Sequence, residues 1–561
     1  MLSENKFTLL QQIVQNATPE EIIWTKGYLA GYLDKTTSET TPTIPNAAVK
    51  PLIVYGTETG NSKKIASQLL AGFKKNKIQA KAVDVFQFDI AKLEKESLVL
   101  FIMSTQGEGE FPQNAVAFYE DLKASNATLN HLSYAVLALG DTSYPLYCNA
   151  GILLDEALEE KGAKRLLDLA KADVDYSSTV TNWENHLKLV FQNQVSTETV
   201  AKTSTLATSH KKNYTGIISH KVVLNDRESN KKTFHIEITS QEEIAYEPGD
   251  SLGIIPKNKA EEIAFILNYF GTEATQEIKI KEQIVSAVQW LSQLNIKGLS
   301  KRSLDQIAAL FKTTITFEKA DLITILQQHP IQKIVTIDAL LEILLPIAPR
   351  LYSISSSSEA HDGQVHLTVN LNTFKVDGEI KTGLASQYLA DYPLETEFEF
   401  YIHKNNNFRL PDDKTDIIMI GPGTGIAPFR SFIAQRDATG AEGRNWLFFG
   451  EQHFTSDFYY QTEIQDWIGT GVLTKLDTAF SRDQEKKIYV QDRIREKATE
   501  FNNWLQNGAN LYICGQKNPM STDVENAIIA VIATERNITN EAAKEILEAL
   551  ETAGKYQKDV Y

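Results

Sequence analysis

Apolar residues in this chain fall into two periods, and the switches between them mark out its parts. Short unbroken apolar runs (LIVY at 52–55, LVLFIM at 98–103, YAVLAL at 134–139, IIMI at 417–420, WLFF at 446–449, LYIC at 511–514) have the length and residue types of buried strands. Most open into a turn rich in Gly, Thr or Asn and then into apolar positions three and four apart, as in SKKIASQLLAGF. This alternation predicts parallel α/β sheets towards both ends. Between them the period drops to two in YTGIISHKVVLN and KKTFHIEIT, and Pro248, Gly249 and Asp250 supply a turn. A mostly β domain is expected there, resuming at 348–358 and 365–374. It is interrupted from about 258 to 345 by helical spacing (AEEIAFILNYF, SLDQIAALF, ADLITILQQ, DALLEILL) too long for a loop.

Two polar stretches break the chain further. Residues 1 to about 35 carry helical spacing (Leu9, Leu10, Ile13, Ile22, Ile23, Trp24, Tyr28, Leu29) and run into TTSETTPTIPN at 36–46. Such an arm is too small for a core of its own, so it either packs on its own chain or joins subunits, and its spacing leaves both open. The Ser/Thr-rich 195–213 reads as a flexible linker. The expected division is an arm and linker at 1–46, an α/β domain at 50–194, the linker at 195–213, a β domain with helical insert at 214–411, and a second α/β domain at 412–561.

Composition narrows the function classes. A length of 561 residues suits about three or four domains, and nothing approaches the roughly 20-residue apolar run of a membrane span. The N-terminus MLSENKFTLL lacks a signal-peptide pattern, so a cytoplasmic location is expected. Cys148 and Cys514 are the two cysteines, too few for a disulfide framework or a four-thiolate cluster. No metal site is expected, and any metal redox chemistry is assigned to a partner. A net charge of −16 argues against nucleic acid and fits docking on a basic protein surface.

Candidate chemistry sits at the strand ends. In DIIMIGPGTGIAPFR (416–430) Gly421, Gly423 and Gly425 let backbone approach a bulky anion, and the helix that follows, with Pro428 in its first turn, offers free N–H groups to a diphosphate. TETGNS (57–62) adds hydroxyl and amide donors, which suits a terminal phosphate. Two further strand ends, STQGEGEFP and LGDTSYPLYC, converge on the same crevice, where Tyr144 and Tyr147 are placed to cover a flat ring. Glu108 and Glu110 beside it are candidates for docking, as are ordinary solvated carboxylates. Arg350 and the 383–386 loop both suit phosphate, Tyr352 suits ring stacking, and Ser353 is a hydroxyl donor beside that ring. Ser481, Arg482, Lys487, Tyr489 and Gln491 make a cationic, donor-rich patch of the kind a ribose 2′-phosphate requires.

TETGNS, STQG and LGDTSYPLYC together resemble the FMN-binding loops of NADPH diflavin reductases, and RLYS followed by GLAS resembles the FAD signature of ferredoxin reductase-like modules. Trp24 to Leu29 (W-x-x-GYL), the YVQD run at 489–492 and the terminal DVY bring the likeness nearest to flavoprotein subunits of assimilatory sulfite reductases. The resemblance implies a flavodoxin-like FMN domain, an FAD-binding antiparallel β-barrel with a helical insert, and a ferredoxin reductase-like NADP-binding α/β domain. It places FMN on Thr57, Glu58, Thr59, Gly60, Asn61, Ser62, Ser104, Thr105, Gln106, Gly107, Leu139, Gly140, Asp141, Thr142, Ser143, Tyr144, Tyr147 and Cys148. FAD falls to Arg350, Leu351, Tyr352, Ser353, Thr368, Val369, Asn370, Phe374, Gly383, Leu384, Ala385, Ser386 and Tyr561, with Phe374 standing where close relatives have tyrosine. NADPH falls to Gly423, Thr424, Gly425, Ser481, Arg482, Lys487, Ile488, Tyr489, Val490, Gln491 and Asp523. Ser353, Cys514 and Asp559 are the implied hydride-transfer set, with Tyr561 as a gate over the flavin. The implied acceptor is a sirohaem and iron–sulfur sulfite reductase haemoprotein (beta) subunit, with a different haem or metal acceptor, or a non-enzymatic flavin carrier or assembly scaffold, as the alternatives. The arm is the implied site of any homo-oligomer.

Overall fold

A computed structural model of the chain describes residues 50–191 and 212–561, apart from residues 59, 77, 108, 143, 281–282, 318, 329–334 and 377–378. The N-terminal arm, most of the 195–213 linker, Thr59, Glu108 and Ser143 lie outside the described residues. The described chain forms two compact units, one of residues 50–141 and 146–191 and one of residues 212–561 together with the short stretch Thr142–Pro145.

The first unit is a parallel sheet in the order 2-1-3-4-5. Its strands are Leu52–Gly56, Lys81–Asp84, Leu98–Ser104 and Ser133–Leu139, and a fifth broken into Lys164–Arg165 and Ala170–Ala172, both paired to Ser133–Leu139. The period of two explains why the strands read as unbroken apolar runs. Val54, Val99, Phe101 and Val136 face one core with Phe118 and Leu154, while Ile53, Leu100, Ile102 and Leu137 face another with Ile65, Leu69 and Trp183. A sheet covered by helices on both faces has no polar side. Its last described helix is Ser177–Phe191, and the expected boundary at 194 lies outside the described residues.

The second unit has two lobes. Six antiparallel strands run Arg350–Ser353, Ser251–Ile254, Glu397–His403, Asn213–Val223, Thr233–Thr239, Val365–Asn370. The first and last are tied by the bridge between Ile354 and Leu367 and by Ser355 N–H donating to His366 O across 2.8 Å. The insert holds helices Ala260–Phe270, Ala287–Gln293, Lys301–Phe311, Leu322–Gln328 and Ile337–Ile343 around an apolar core of its own that includes Trp290, Leu304 and Leu340. It also carries a hairpin, Glu277–Ile280 with Gln283–Ser286, which helical spacing did not announce.

The other lobe is a five-stranded parallel sheet in the order Lys475–Phe480, Asn445–Glu451, Ile417–Ile420, Asn510–Gly515, Tyr556–Val560. The strand Tyr556–Val560 at one edge is formed by the last residues of the chain. Lysine-rich KYQKDVY has no apolar run, because an edge strand needs only one buried face, and there Tyr556 supplies the packing.

Buried Arg430 joins the lobes. Its guanidinium forks onto Glu463 at 2.6 and 2.8 Å, donates to Ser355 O at 2.8 Å and to His366 Nδ1 at 3.1 Å, and lies over the Tyr460 ring. Ser431 Oγ donates to Ser356 O at 2.6 Å beside it. A charge this deep stays ionised only because every face of it is paired. No helix among the described residues is long and apolar enough to cross a membrane.

Candidate functional site

In the first unit, loops leave the carboxyl ends of three neighbouring parallel strands, Leu52–Gly56, Leu98–Ser104 and Ser133–Leu139. Gly60, at φ +89°, turns the first loop into helix Asn61–Lys75, a backbone conformation that favours glycine. Its N–H donates to Thr57 Oγ1 at 2.9 Å, and Thr57 N–H donates to Asn114 Oδ1 at 3.2 Å. Asn114 in turn donates to Asp84, and Gln113 N–H to Glu58, so the loop is held from outside by two residues the sequence did not flag. Ser62 Oγ is buried without a partner among the described residues. An orphaned hydroxyl at a helix start is what a phosphate oxygen would satisfy, so this seat fits FMN phosphate.

The second and third loops interlock. Thr105 N–H donates to Leu139 O, Ala150 N–H to Thr105 Oγ1, and Gly140 N–H to Ala172 O. Gln106 donates to Phe111 O, Gly107 has a positive φ of 53°, and Ser104 Oγ donates back to Gly56 O. Asp141, Thr142, Tyr144 and Tyr147 follow on the third loop, while Leu139 is core. Cys148 turns inward: it starts helix Asn149–Glu160 in a left-handed conformation, its thiol points at Ala138 O, and burial pushes that thiol up to about 12.

In the second unit, the sheet edges bring distant residues to one point. Strand register sets Cys514 opposite Asp559. Asp559 Oδ2 accepts from Ser353 Oγ at 2.8 Å and lies 3.9 Å from Cys514 Sγ. Burial raises the Asp559 carboxyl above its ordinary value, against the pull of Ser353 and Cys514. Burial, with Asp559 beside it, raises the Cys514 thiol well above its ordinary range, so it keeps its proton. Tyr561 closes the group: its N–H donates to Gly515 O, its carbonyl accepts from Lys517 N–H, and its hydroxyl meets Thr424 Oγ1 at 2.6 Å. Tyr561 as a whole residue is 63% exposed.

The glycine loop reaches the same point. A Cβ on Gly425 would stand 2.2 Å from Cys514 O, so only glycine lets helix Ile426–Thr439 begin this close to the cysteine strand. Gly423 has φ +61°, and a Cβ there would meet Glu451 Oε1 at 3.5 Å, an ordinary van der Waals contact. The cradle fits a diphosphate.

Nearby, Tyr352 is half-buried against the β core, and Ser386 Oγ bonds Gly383 O and Asn372 N at the start of helix Leu384–Asp391. Leu351 is half-buried, Leu384 and Ala385 open that helix, and exposed Arg350 donates to Pro349 O. Phe374 is exposed on the hairpin Thr373–Val376 with Glu379–Thr382. Thr368 is buried with its hydroxyl 2.6 Å from Tyr460, half-buried Asn370 accepts from Thr233 through its amide oxygen, and Val369 is core.

Ser481 and Arg482 follow strand Lys475–Phe480, and their N–H groups donate to Glu451 O and Gln452 O. The Arg482, Lys487 and Tyr489 side chains are exposed on the same stretch, as is Asp523 in the first turn of helix Thr522–Arg536. Val490 is core, Ile488 packs against it, and Gln491 lies in the first turn of the helix that begins at Val490.

Comparison with known proteins agrees with this architecture. The Flavodoxin family model matches residues 53–183, the FAD binding domain model residues 206–293 and 291–388, and the Oxidoreductase NAD-binding domain model residues 419–526. The sulfite reductase (NADPH) flavoprotein alpha-component of Photorhabdus laumondii subsp. laumondii is 36% identical over all of this chain and 98% of its own length. Those of Vibrio cholerae serotype O1 and Zymomonas mobilis subsp. mobilis are also 36% identical over the whole chain and 96% and 98% of their lengths. The chain belongs to the sulfite reductase (NADPH) flavoprotein alpha-component family.

As a member of that family it carries the flavodoxin, FAD-binding and NAD-binding domains in one polypeptide, and it is an oxidoreductase. Arg430, although it closes the glycine stretch, had no role legible in sequence, since its partners Glu463, Ser355 and His366 are far along the chain. His235, Glu237 and His366 bring ligand atoms within 4.8 Å of one another, a spacing that would suit an ion. The hydrogen bonds say otherwise. Arg430 donates to His366 Nδ1, which leaves the ring proton on Nε2 facing Gln364, and His235 donates to Glu237 while accepting from Tyr460. Each ring nitrogen already has a partner.

Proposed function

We propose that this chain takes electrons from NADPH through FAD and FMN and delivers them to the haemoprotein subunit of a sulfite reductase. The observation that carries it is the Ser353, Asp559 and Cys514 group beneath Tyr561, where the FAD lobe, the glycine loop and the last residue of the chain meet. NADPH supplies a hydride, and two flavins in series turn that electron pair into single electrons for a metal centre.

The chain's own residues prepare that transfer. Gly423, Thr424 and Gly425 hold the nucleotide diphosphate by backbone, while Ser481, Arg482, Lys487 and Tyr489 hold its 2′-phosphate. Arg350 and the 383–386 loop hold the FAD diphosphate, and Tyr352 and Tyr561 cover its ring. Asp559 accepts the Ser353 hydroxyl proton in a hydrogen bond and so turns the oxygen of that hydroxyl, with its lone pairs, towards the ring. Tyr561 is tied to the nucleotide loop through Thr424, so arriving nicotinamide displaces it by breaking one hydrogen bond. The 57–62 loop holds the FMN phosphate, and Tyr144 and Tyr147 cover its ring.

The partner reading rests on the names of the relatives and on the cysteine count, because two cysteines cannot hold a four-thiolate cluster. Anaerobic NADPH should bleach the flavin absorbance of the loaded protein, and a mixture with sirohaem haemoprotein should then reduce sulfite. Unbleached flavin would rule out the enzyme. Brisk ferricyanide or cytochrome c reduction without sulfite reduction would favour a diflavin reductase serving another acceptor.

A further inference from the structure

Outside the residues already assigned to the nucleotide, the loop that carries Arg482 is clamped to a second loop. Ser481 N–H donates to Glu451 O at 2.8 Å and Arg482 N–H to Gln452 O at 2.9 Å. The next residue, Asp483, is a carboxylate directly beside the cationic patch, a poor neighbour for a phosphate dianion. Both of its oxygens are turned to the second loop: Oδ1 lies 2.9 Å from His453 Nδ1, and Oδ2 accepts from Phe454 N–H at 2.8 Å. A carboxylate only accepts, so His453 Nδ1 is the donor in this pair. His453 is itself held, its N–H donating to Asp457 Oδ2 at 3.1 Å, and Asp457 is fully buried.

We propose that His453 is a specificity-determining positioning residue: by binding Asp483 it keeps that carboxylate out of the 2′-phosphate subsite and so sets the preference for phosphorylated over unphosphorylated nucleotide. This rests on the assignment of Ser481 and Arg482 to the 2′-phosphate. Asp483 without its histidine keeps one donor, the Phe454 amide, and can rotate towards Arg482. There it competes for the guanidinium and repels the phosphate, while a ribose hydroxyl is indifferent or gains an acceptor.

The test is calorimetric binding of two ligands that differ only in the 2′-phosphate, adenosine 2′,5′-bisphosphate and adenosine 5′-monophosphate, to the full-length chain with both flavins bound. His453→Ala should weaken the bisphosphate about fivefold, the scale of an exposed ion pair, and leave the monophosphate unchanged. His453→Asn, whose amide can donate from the Nδ1 position, should stay near wild type. His453→Ala with Asp483→Asn should recover bisphosphate binding, because the competing charge is gone. Equal weakening of both ligands, an unaltered bisphosphate affinity in His453→Ala, or no recovery in the double variant would each overturn the proposal. Wild-type protein with no preference for the bisphosphate would instead overturn the nucleotide assignment beneath it, and the proposal with it.

Discussion

Ser353 Oγ donates to Asp559 Oδ2 across 2.8 Å, although the two residues stand 206 positions apart. One comes from the edge of the antiparallel sheet and the other from the last strand of the parallel one. Replacing Asp559 by Asn keeps an acceptor for Ser353 but removes the charge. Stopped-flow reduction by NADPH should slow on the order of 10²-fold, the scale of a misplaced group at a reacting centre. The stability effect has the opposite sign. Because burial raises the folded-state pKa, the folded chain holds that proton more tightly than the unfolded one, and stability falls as pH climbs above about 4, the unfolded value. Asp559→Asn should therefore melt higher than wild type at neutral pH. A lower melting temperature would count against a strained carboxylate.

Tyr561 occupies the place nicotinamide is expected to take. Tyr561→Ala removes that competitor and the bond to Thr424. NADP+ should bind roughly tenfold more tightly in equilibrium titration, an energy of about 1.4 kcal/mol. Weaker binding would make Tyr561 part of the nucleotide site, not a gate over the flavin.

Gly425→Ala places a methyl 2.2 Å from the Cys514 carbonyl oxygen, and backbone there cannot step aside. A cost of about 1–3 kcal/mol is expected by denaturant unfolding, with NADPH affinity lost as the helix start shifts. Unchanged stability would mean the loop is looser than its packing indicates.

Arg430→Met leaves Glu463 without its fork and Ser355 O and His366 Nδ1 without their donor. A loss of about 3 kcal/mol is expected. The lobes should then melt in separate calorimetric transitions, and a single transition at the wild-type temperature would refute the role of Arg430 in joining them.

Acid sensitivity should come from the same junction. Burial and the Arg430 charge hold His366 down at about 2, and the same causes lower His235 and His361. Folded, the rings stay neutral where the unfolded chain takes up protons. The stability they contribute is thus whole above about pH 6.5 and is lost as pH falls below it, at up to about 1.4 kcal/mol per pH unit for His366. His366→Asn keeps an acceptor for Arg430 and cannot be protonated. Its melting temperature should fall less steeply than wild type between about pH 6.5 and pH 5. A slope equal to wild type would remove His366 from the cause.

What the sequence determined by itself was local. Runs such as LVLFIM and IIMI announced strands buried on two faces, the glycines of 416–430 announced a close approach of backbone to an anion, and two cysteines excluded a cluster held by four thiolates. Each of these is a property of residues within a few positions of one another. Ser353 beside Asp559, Cys514 against Gly425, Arg430 between two lobes and His453 on Asp483 were decided only by the tertiary structure. Their partners are matched by which strands neighbour which, and that order is settled by burying whole sheets, a sum over many side chains to which no single pair is visible in the chain.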